Sequence, residues 1–308
     1  MDALSHLLED IHLHGAEYLY VSGRGAWRAG LRDCTSFHVV LAGPVQLAVA
    51  GEPERQLQTG DILFIPAGKE HFLSHPDKPV TGTVWLMDEF RGHRNEPLGV
   101  GEGLASSLVL TVRCLLDAEM ARPLLTSLPP SMLISQGLDG AGPEWLRLGL
   151  SFLARESEIA RPGRDTLINR LIGMCLIECV RDYVEQLPPE GKHWLTAVRD
   201  PYLSAALAAI HSEPEKAWTV ADLASRACLS RSAFHDRFSE VLGRPPLTYL
   251  TEHRLRLAAH HLAQQDLGIN RISERVGYSS ETAFSQAFRR QYGVTPSQYR
   301  KQLNAREV

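Results

Sequence analysis

Apolar and polar positions alternate over much of the first third of the chain. Between residues 17 and 90, short apolar or alternating runs (EYLYVS, FHVVLAG, VQLAVAG, DILFIPAG, GTVWLMD) are separated by Gly, Pro and Asp. A period of two broken by turn residues predicts short strands, folded as an antiparallel sandwich or barrel. Within the Gly-, Pro- and Ser-rich stretch 91–142, VLTVRCLLD predicts one more strand. From Glu144 the period lengthens. PEWLRLGLSFLARESEIA and DTLINRLIGMCLIECVRDYVEQL carry apolar residues three and four apart and predict two helices parted by RPG. The second is apolar on more than one side (Leu167, Leu171, Met174, Cys175, Ile177, Val180), the pattern of a helix buried deep or covered by another subunit. PPEGKHW (188–194) predicts a linker, and after Pro201 the chain is helical to its end. The expected fold is α+β in two domains. An antiparallel β-barrel domain covers 1–142, a helical dimerisation or linker region 143–193, and an all-α domain 200–302.

The helical end contains an internal repeat. LASRACLSRSAFHDRFSEVLGRPPLTYL begins at Leu223 and ISERVGYSSETAFSQAFRRQYGVTPSQYR at Ile272. Phe234 matches Phe284, Phe238 matches Phe288, Gly243 matches Gly293, Pro246 matches Pro296 and Tyr249 matches Tyr299, each pair 50 apart. Each copy has a short helix, a turn (Ala227-Cys228-Leu229; Val276-Gly277-Tyr278) and a Ser able to cap a second helix, Ser230 in one copy and Ser279 or Ser280 in the other. That layout is a helix-turn-helix, whose second helix enters the DNA major groove. Opposite the Phe residues, the second helices present Arg231, Ser232, His235, Asp236 and Ser239, and Glu281, Thr282, Ser285, Gln286 and Arg289. These are polar side chains suited to base edges, while Arg237, Arg244 and Arg290 flank them as phosphate contacts. LTYLTEHRLRLAAHHLAQQD between the copies predicts a connecting helix that holds the two recognition helices apart. An all-helical bundle with solvated polar faces is the alternative for one such helix, and is hard to sustain for two in register.

Charge follows the same division. Residues 200–308 hold 14 Lys/Arg against 11 Asp/Glu, and residues 1–199 hold 18 against 25, so the positive end is the C-terminal one despite a net charge of −4. No apolar run reaches the roughly 20 residues that cross a bilayer, and MDALSHLLEDIHLHG lacks a signal-peptide pattern, so the expected compartment is the cytoplasm. The five cysteines form no CxxC pair. Cys175 and Cys179, four apart on one helix face, read first as buried small apolar residues and second as a redox pair.

WTVADLASRACLSRSAF together with RISERVGYSSETAFSQAFRRQYGVTPSQYR resembles the AraC-type transcription regulators over roughly residues 203–302. Residues 1–190 resemble the cupin-type sensor domain of one branch of that family. GDILFIPAGKEH fits the second cupin motif, G-x5-P-x-G-x2-H, at Gly60, Pro66, Gly68 and His71. The resemblance implies a non-enzymatic regulator: a homodimer on double-stranded promoter DNA, working with RNA polymerase and answering to a small effector. It assigns base-facing roles to Arg231, Ser232, His235 and Asp236, and to Glu281, Thr282, Ser285 and Gln286. Asp236 stands where a basic residue is commoner, and Cys228 where Gly is usual. No cofactor is required, but His38, His71 and His75 form a candidate site for a divalent Zn, Ni or Fe ion. A metal-binding regulator and a cupin enzyme fused to a DNA-binding module are the alternatives. Tyr18, Tyr20, Trp27, Phe37, Phe64, Phe72 and Trp85 are candidate pocket aromatics.

Overall fold

The computed structural model describes residues 2–11, 13–80, 82–90, 96–134, 144–156, 161–188, 194–264 and 267–305. The chain forms two compact units. One joins Leu13–Leu116 to Leu124–Asp182, and the other joins Met1–His12 and Asp117–Pro123 to Tyr183–Val308. The expected boundaries near 142 and 193 lie outside the described residues. The first helix, α1 (Ala3–Asp10), is grouped with the C-terminal helices rather than with the strands that follow it. Among the described residues no helix is long and apolar enough to cross a membrane.

The strand unit holds β1 (Leu13–Arg24), β2 (Arg28–Leu31), β3 (Ser36–Ala42), β4 (Val45–Val49), β5 (Arg55–Leu57), β6 (Ile62–Ile65), β7 (His71–Ser74), β8 (Val84–Trp85), β9 (Leu98–Gly101), β10 (Ala105–Leu116) and β11 (Met132–Ile134). β4 and β7 bury alternate residues, whereas all four residues of β6 are buried, the two signatures of half-covered and central strands. The expected antiparallel barrel is instead two sheets, ordered β11-β6-β3-β10-β1-β9 and β5-β4-β7-β2-β8. Both are mixed, because β9 runs parallel to β1 and β8 parallel to β2. Alternation encodes which face a residue takes; it does not encode which strand lies alongside, or in which direction.

Leu19, Val21, Trp27, Leu47, Leu63, Leu73 and Val109 belong to one buried cluster drawn from both sheets. Gly23 makes room for Trp27: a Cβ there would lie 2.2 Å from the indole. α2 (Ala118–Leu125), α3 (Glu144–Glu156) and α4 (Arg164–Gln186) follow the strands. α4 buries Ile168, Ile172, Cys175, Leu176, Cys179 and Val180, yet leaves Leu167, Met174 and Ile177 exposed. It is therefore apolar on two sides, as its sequence predicts. Burial pushes the Cys175 thiol up to about 12, with Glu178 adding to the shift, so it stays protonated, in the state expected of a packing residue.

The helical unit contains α5 (Leu203–Ser212), α6 (Val220–Arg226), α7 (Arg231–Leu242), α8 (Pro246–Ala263), α9 (Ile269–Arg275), α10 (Glu281–Tyr292) and α11 (Pro296–Asn304). It has two small cores. Leu207, Leu223, Phe234, Phe238 and Tyr249 centre the first; Leu255, Leu262, Ile272, Phe284 and Phe288 centre the second. α8 supplies residues to both, and its 18 residues span roughly 27 Å. One continuous helix thus joins the two halves of the repeat.

Candidate nucleic-acid interface

Each half of the repeat is a helix-turn-helix, α6–α7 and α9–α10. The turns are built alike. Leu229 N–H donates to Ala224 O at 3.0 Å, and Tyr278 N–H to Ser273 O at 2.9 Å, so each first helix ends in a Schellman-type reversal. That reversal needs a left-handed residue, found at Cys228 (φ 52°) and Gly277 (φ 81°). The unusual Cys228 therefore sits where glycine is favoured, as its sequence position predicts. Ser230 and Ser280 cap α7 and α10 by accepting the N–H of Ala233 and Ala283, which settles the second cap on Ser280. Both recognition helices close on left-handed glycines, Gly243 and Gly293.

The burial patterns repeat with the sequence. Phe234 and Phe238 anchor α7, and Phe284 and Phe288 anchor α10, each fully buried. Arg231, Ser232 and Asp236 are exposed with His235 half-buried between them; Glu281, Thr282 and Gln286 are exposed with Ser285 half-buried. None of the eight is buried. His235 Nδ1 lies 3.3 Å from Asp236 Oδ1. Arg231, Arg289 and Arg290 are exposed and form no ion pair among the described residues.

Arg237 and Arg244 are placed differently from a free flanking cation. Arg237 donates to Asp200 through Nε at 2.8 Å, with Nη2 at 2.6 Å, and its guanidinium stacks over Tyr202. Arg244 is paired with Glu252. The sequence reading missed Asp200. Its Oδ1 accepts the N–H groups of Tyr202 and Leu203 at the start of α5 while Oδ2 holds Arg237, so one carboxylate ties α5 to the recognition helix α7. Burial pulls this carboxyl up in pKa, but Arg237 and the two N–H donors outweigh it and hold it below the ordinary range. An Asp just ahead of an apolar helix is a capping signal and was available in the sequence. Arg254, also missed, donates to Pro214 O at 2.6 Å and to Lys216 O at 2.7 Å beside Gly277.

The strand unit brings together two of the three candidate metal ligands. His38 on β3 and His71 on β7, from different sheets, meet with their Nε2 atoms 2.7 Å apart. His38 Nδ1 lies 3.0 Å from Thr111 Oγ1 and His71 Nδ1 lies 2.7 Å from Lys69 O. With both rings neutral, one proton arrangement satisfies all of them. His71 Nδ1–H donates to Lys69 O, His38 Nε2–H donates to His71 Nε2, and the Thr111 hydroxyl donates to His38 Nδ1. β7 ends at Ser74, so His75 lies past the strand; its Nδ1 accepts from Asp77 N–H at 3.0 Å. Among the described residues no third His, Cys, Asp or Glu joins the pair, and two mutually bonded imidazoles do not fit the three or four protein ligands that hold a zinc-like ion. Of the candidate aromatics, Tyr18, Tyr20, Trp27, Phe37 and Phe64 are packed in the core, while Phe72 and Trp85 are half-buried.

Burial holds His38 well below 6.5, with His71 adding to the shift; burial also lowers His71, against the opposing hydrogen bond to Lys69 O. Below about pH 6.5 the unfolded chain binds protons at these rings that the folded chain refuses. Stability contributed by the pair therefore falls as pH falls, by about 1 kcal/mol per unit for each ring until its folded pKa is reached. Urea midpoints of wild type between pH 7.5 and 5.5 should show this decline, and His38→Gln should make it shallower. A parallel decline in both proteins would mean that the pair is not its source.

Two caps, two left-handed turns and two matched polar faces on a shared connector define a double helix-turn-helix DNA-binding regulator with an attached β-domain. Comparisons with known proteins give the family. A cupin family model matches residues 2–185 and a helix-turn-helix domain model residues 223–302. The chain is 43% identical over 306 residues to the HTH-type transcriptional regulator AlkR of Acinetobacter baylyi, covering 98% of this chain and 100% of that one. It is 31% identical over 279 residues to the RCS-specific HTH-type transcriptional activator RclR of Escherichia coli, covering 89% and 87%. It is 32% identical over 309 residues to a putative AraC-like transcription regulator of Streptomyces lividans, covering 97% of each. The chain belongs to the AraC-type DNA-binding transcriptional regulators, with a cupin domain ahead of the helix-turn-helix domain.

Proposed function

We propose that this regulator acts in the cytoplasm as a homodimer, reads promoter DNA with α7 and α10, and is switched by a small effector held by its cupin domain. The observation that carries the dimer is the second apolar side of α4. Leu167, Met174 and Ile177 are 49%, 44% and 41% exposed, and Leu148 of the adjoining α3 is 66% exposed. α3 and α4 approach closely at Gly149, where a Cβ would lie 3.3 Å from Leu171. Apolar residues spaced seven and three apart on a helix fit a second copy of the same helix. The base-reading roles rest on the matched polar residues of α7 and α10, Arg231 among them, and the phosphate roles on Arg289 and Arg290. Asp236 is suited to accept from a cytosine amino group. Arg237, held by Asp200, serves to position α7, and RNA polymerase is the expected downstream partner.

A route from effector to dimer is supported by three hydrogen bonds from β1. Ala16 N–H donates to Asn169 Oδ1, the Tyr18 hydroxyl donates to Asp165, and the Tyr20 hydroxyl donates to Leu153 O. Arg164 Nε donates to the Tyr18 oxygen at 2.9 Å. A shift of the sheet is thereby passed to α3 and α4. The test is Met174→Glu with Ile177→Glu. Sedimentation at micromolar concentration should show a wild-type dimer and a monomeric variant with weaker cognate binding. A wild-type monomer with full DNA affinity would contradict the proposal.

A further inference from the structure

We infer that Asp10, His211 and His253 form a binding site for one divalent transition-metal ion of zinc-like preference, fastening the N-terminal helix to the DNA-binding unit. Among the described residues they are the one trio of His, Cys, Asp or Glu whose ligand atoms all lie within 4.8 Å of one another. They come from three helices of the same unit: Asp10 ends α1, His211 lies in α5 and His253 in α8. Asp10 Oδ2 stands 2.5 Å from His211 Nδ1 and 3.8 Å from His253 Nε2. The two imidazole rings have centroids 4.3 Å apart.

The His253 ring carries the inference. It is 1% exposed, and its Nε2 is buried with no hydrogen-bond partner, although it faces the Asp10 carboxylate. An orphaned buried nitrogen is costly and rare. A cation between the three atoms satisfies it and neutralises the carboxylate at once. Tetrahedral nitrogen and oxygen ligands at 2.0–2.1 Å from zinc stand about 3.3 Å from each other. The present 2.5 and 3.8 Å lie on either side of that spacing. All three atoms lie within 4.8 Å of one another, so closing on an ion takes a movement of Asp10, the most exposed of the three, together with a small adjustment of the two rings. His211 is already oriented from behind, with Nε2 2.9 Å from the Tyr249 hydroxyl. When Nδ1 takes the metal, Nε2–H donates to that oxygen, the usual outer support of a metal-bound histidine. Two imidazoles and a carboxylate suit Zn, Co, Ni or Fe(II), with the remaining position left to water. The site is separate from the His38–His71 pair, whose ring nitrogens are all engaged within the strand unit.

The consequence is mechanical. α8 carries both helix-turn-helix motifs, and the site links it to α5 and to α1. Metal binding to the folded form stabilises the unit by mass action.

The test uses full-length protein without a His tag, stripped with EDTA and dialysed. Cobalt(II) added to wild type should give visible ligand-field bands that saturate at one equivalent per chain and are displaced by zinc. The His38→Gln/His71→Gln double variant should retain them. His253→Gln and Asp10→Asn should each weaken cobalt binding at least tenfold, with far-UV circular dichroism unchanged in Asp10→Asn, where the residue is partly exposed. Zinc should also raise the Tm of wild type and leave that of Asp10→Asn unmoved. No saturable band in wild type, an undiminished cobalt affinity in either single variant, or a band lost in the double variant would overturn the assignment.

Discussion

Alanine at His235 and at Gln286 is expected to weaken cognate binding by about 1–3 kcal/mol each while leaving non-specific binding nearly unchanged. The two residues lie on α7 and α10, one half-buried beside Asp236 and the other exposed, and neither contributes to a core. Their loss should therefore leave the packing of Phe234, Phe238, Phe284 and Phe288 undisturbed and act on the proposed contacts to bases alone. The helices are separate and share no partner, so the double variant should lose close to the sum, about 2–6 kcal/mol. Alanine at Arg289 or Arg290 should behave differently. Each should weaken all DNA binding alike and lower the salt dependence by about one counterion. Titrations on cognate and scrambled duplexes at several salt concentrations separate the two classes. Equal losses on both duplexes for His235→Ala and Gln286→Ala would remove them from the base readers.

Gly277→Ala should destabilise the helical unit by about 2–5 kcal/mol. The residue has φ 81°, a left-handed value that costs an L side chain about 1–2 kcal/mol. The added Cβ would also stand 2.5 Å from Glu215 O, 2.7 Å from Arg254 Nη2 and 2.8 Å from Glu215 Cα. Arg254 cannot withdraw freely, because it bonds Pro214 O and Lys216 O. Overpacking against backbone adds about 1–3 kcal/mol. The first turn gives the converse. Cys228 holds φ 52° and is exposed, so Cys228→Gly should relieve strain and raise stability by about 0.5–1 kcal/mol, once glycine's chain entropy is deducted. Urea denaturation of the full chain measures both. A change under about 0.5 kcal/mol for Gly277→Ala would mean that the loop at 214–216 yields, against the packing described here.

The helical unit was more legible than the strand unit, for a physical reason. Its signals are local: a Ser four residues before the first of a buried Phe pair, a Gly after the last helical turn, and the same arrangement 50 residues later. Each states its own geometry, so Ser230 was found as the cap its position predicts, and the matched Gly243 and Gly293 were found closing their helices alike. The GDILFIPAGKEH turn was likewise legible, and it does bring His71 inward. The strand pairing was not. β1 and β9 lie side by side although the strands are far apart in sequence, and no alternation records that. His75 differs, since the Pro76-Asp77 that follows it is a local mark that the strand has ended. α1 and Asp10 were missed because their partners, His211 and His253, lie some two hundred residues away. Asp200 was missed as a tie to Arg237 because the pairing crosses from the start of α5 to α7, although its capping position was readable.

The central claim is that both halves of the repeat read DNA from one rigid connector. Methylation interference on a site selected from genomic DNA tests it most directly. The account predicts interference in two successive major-groove segments about 10–10.5 base pairs apart for each protomer, one lost with His235→Ala and the other with Gln286→Ala. Interference confined to a single segment, or unchanged by both substitutions, would contradict it.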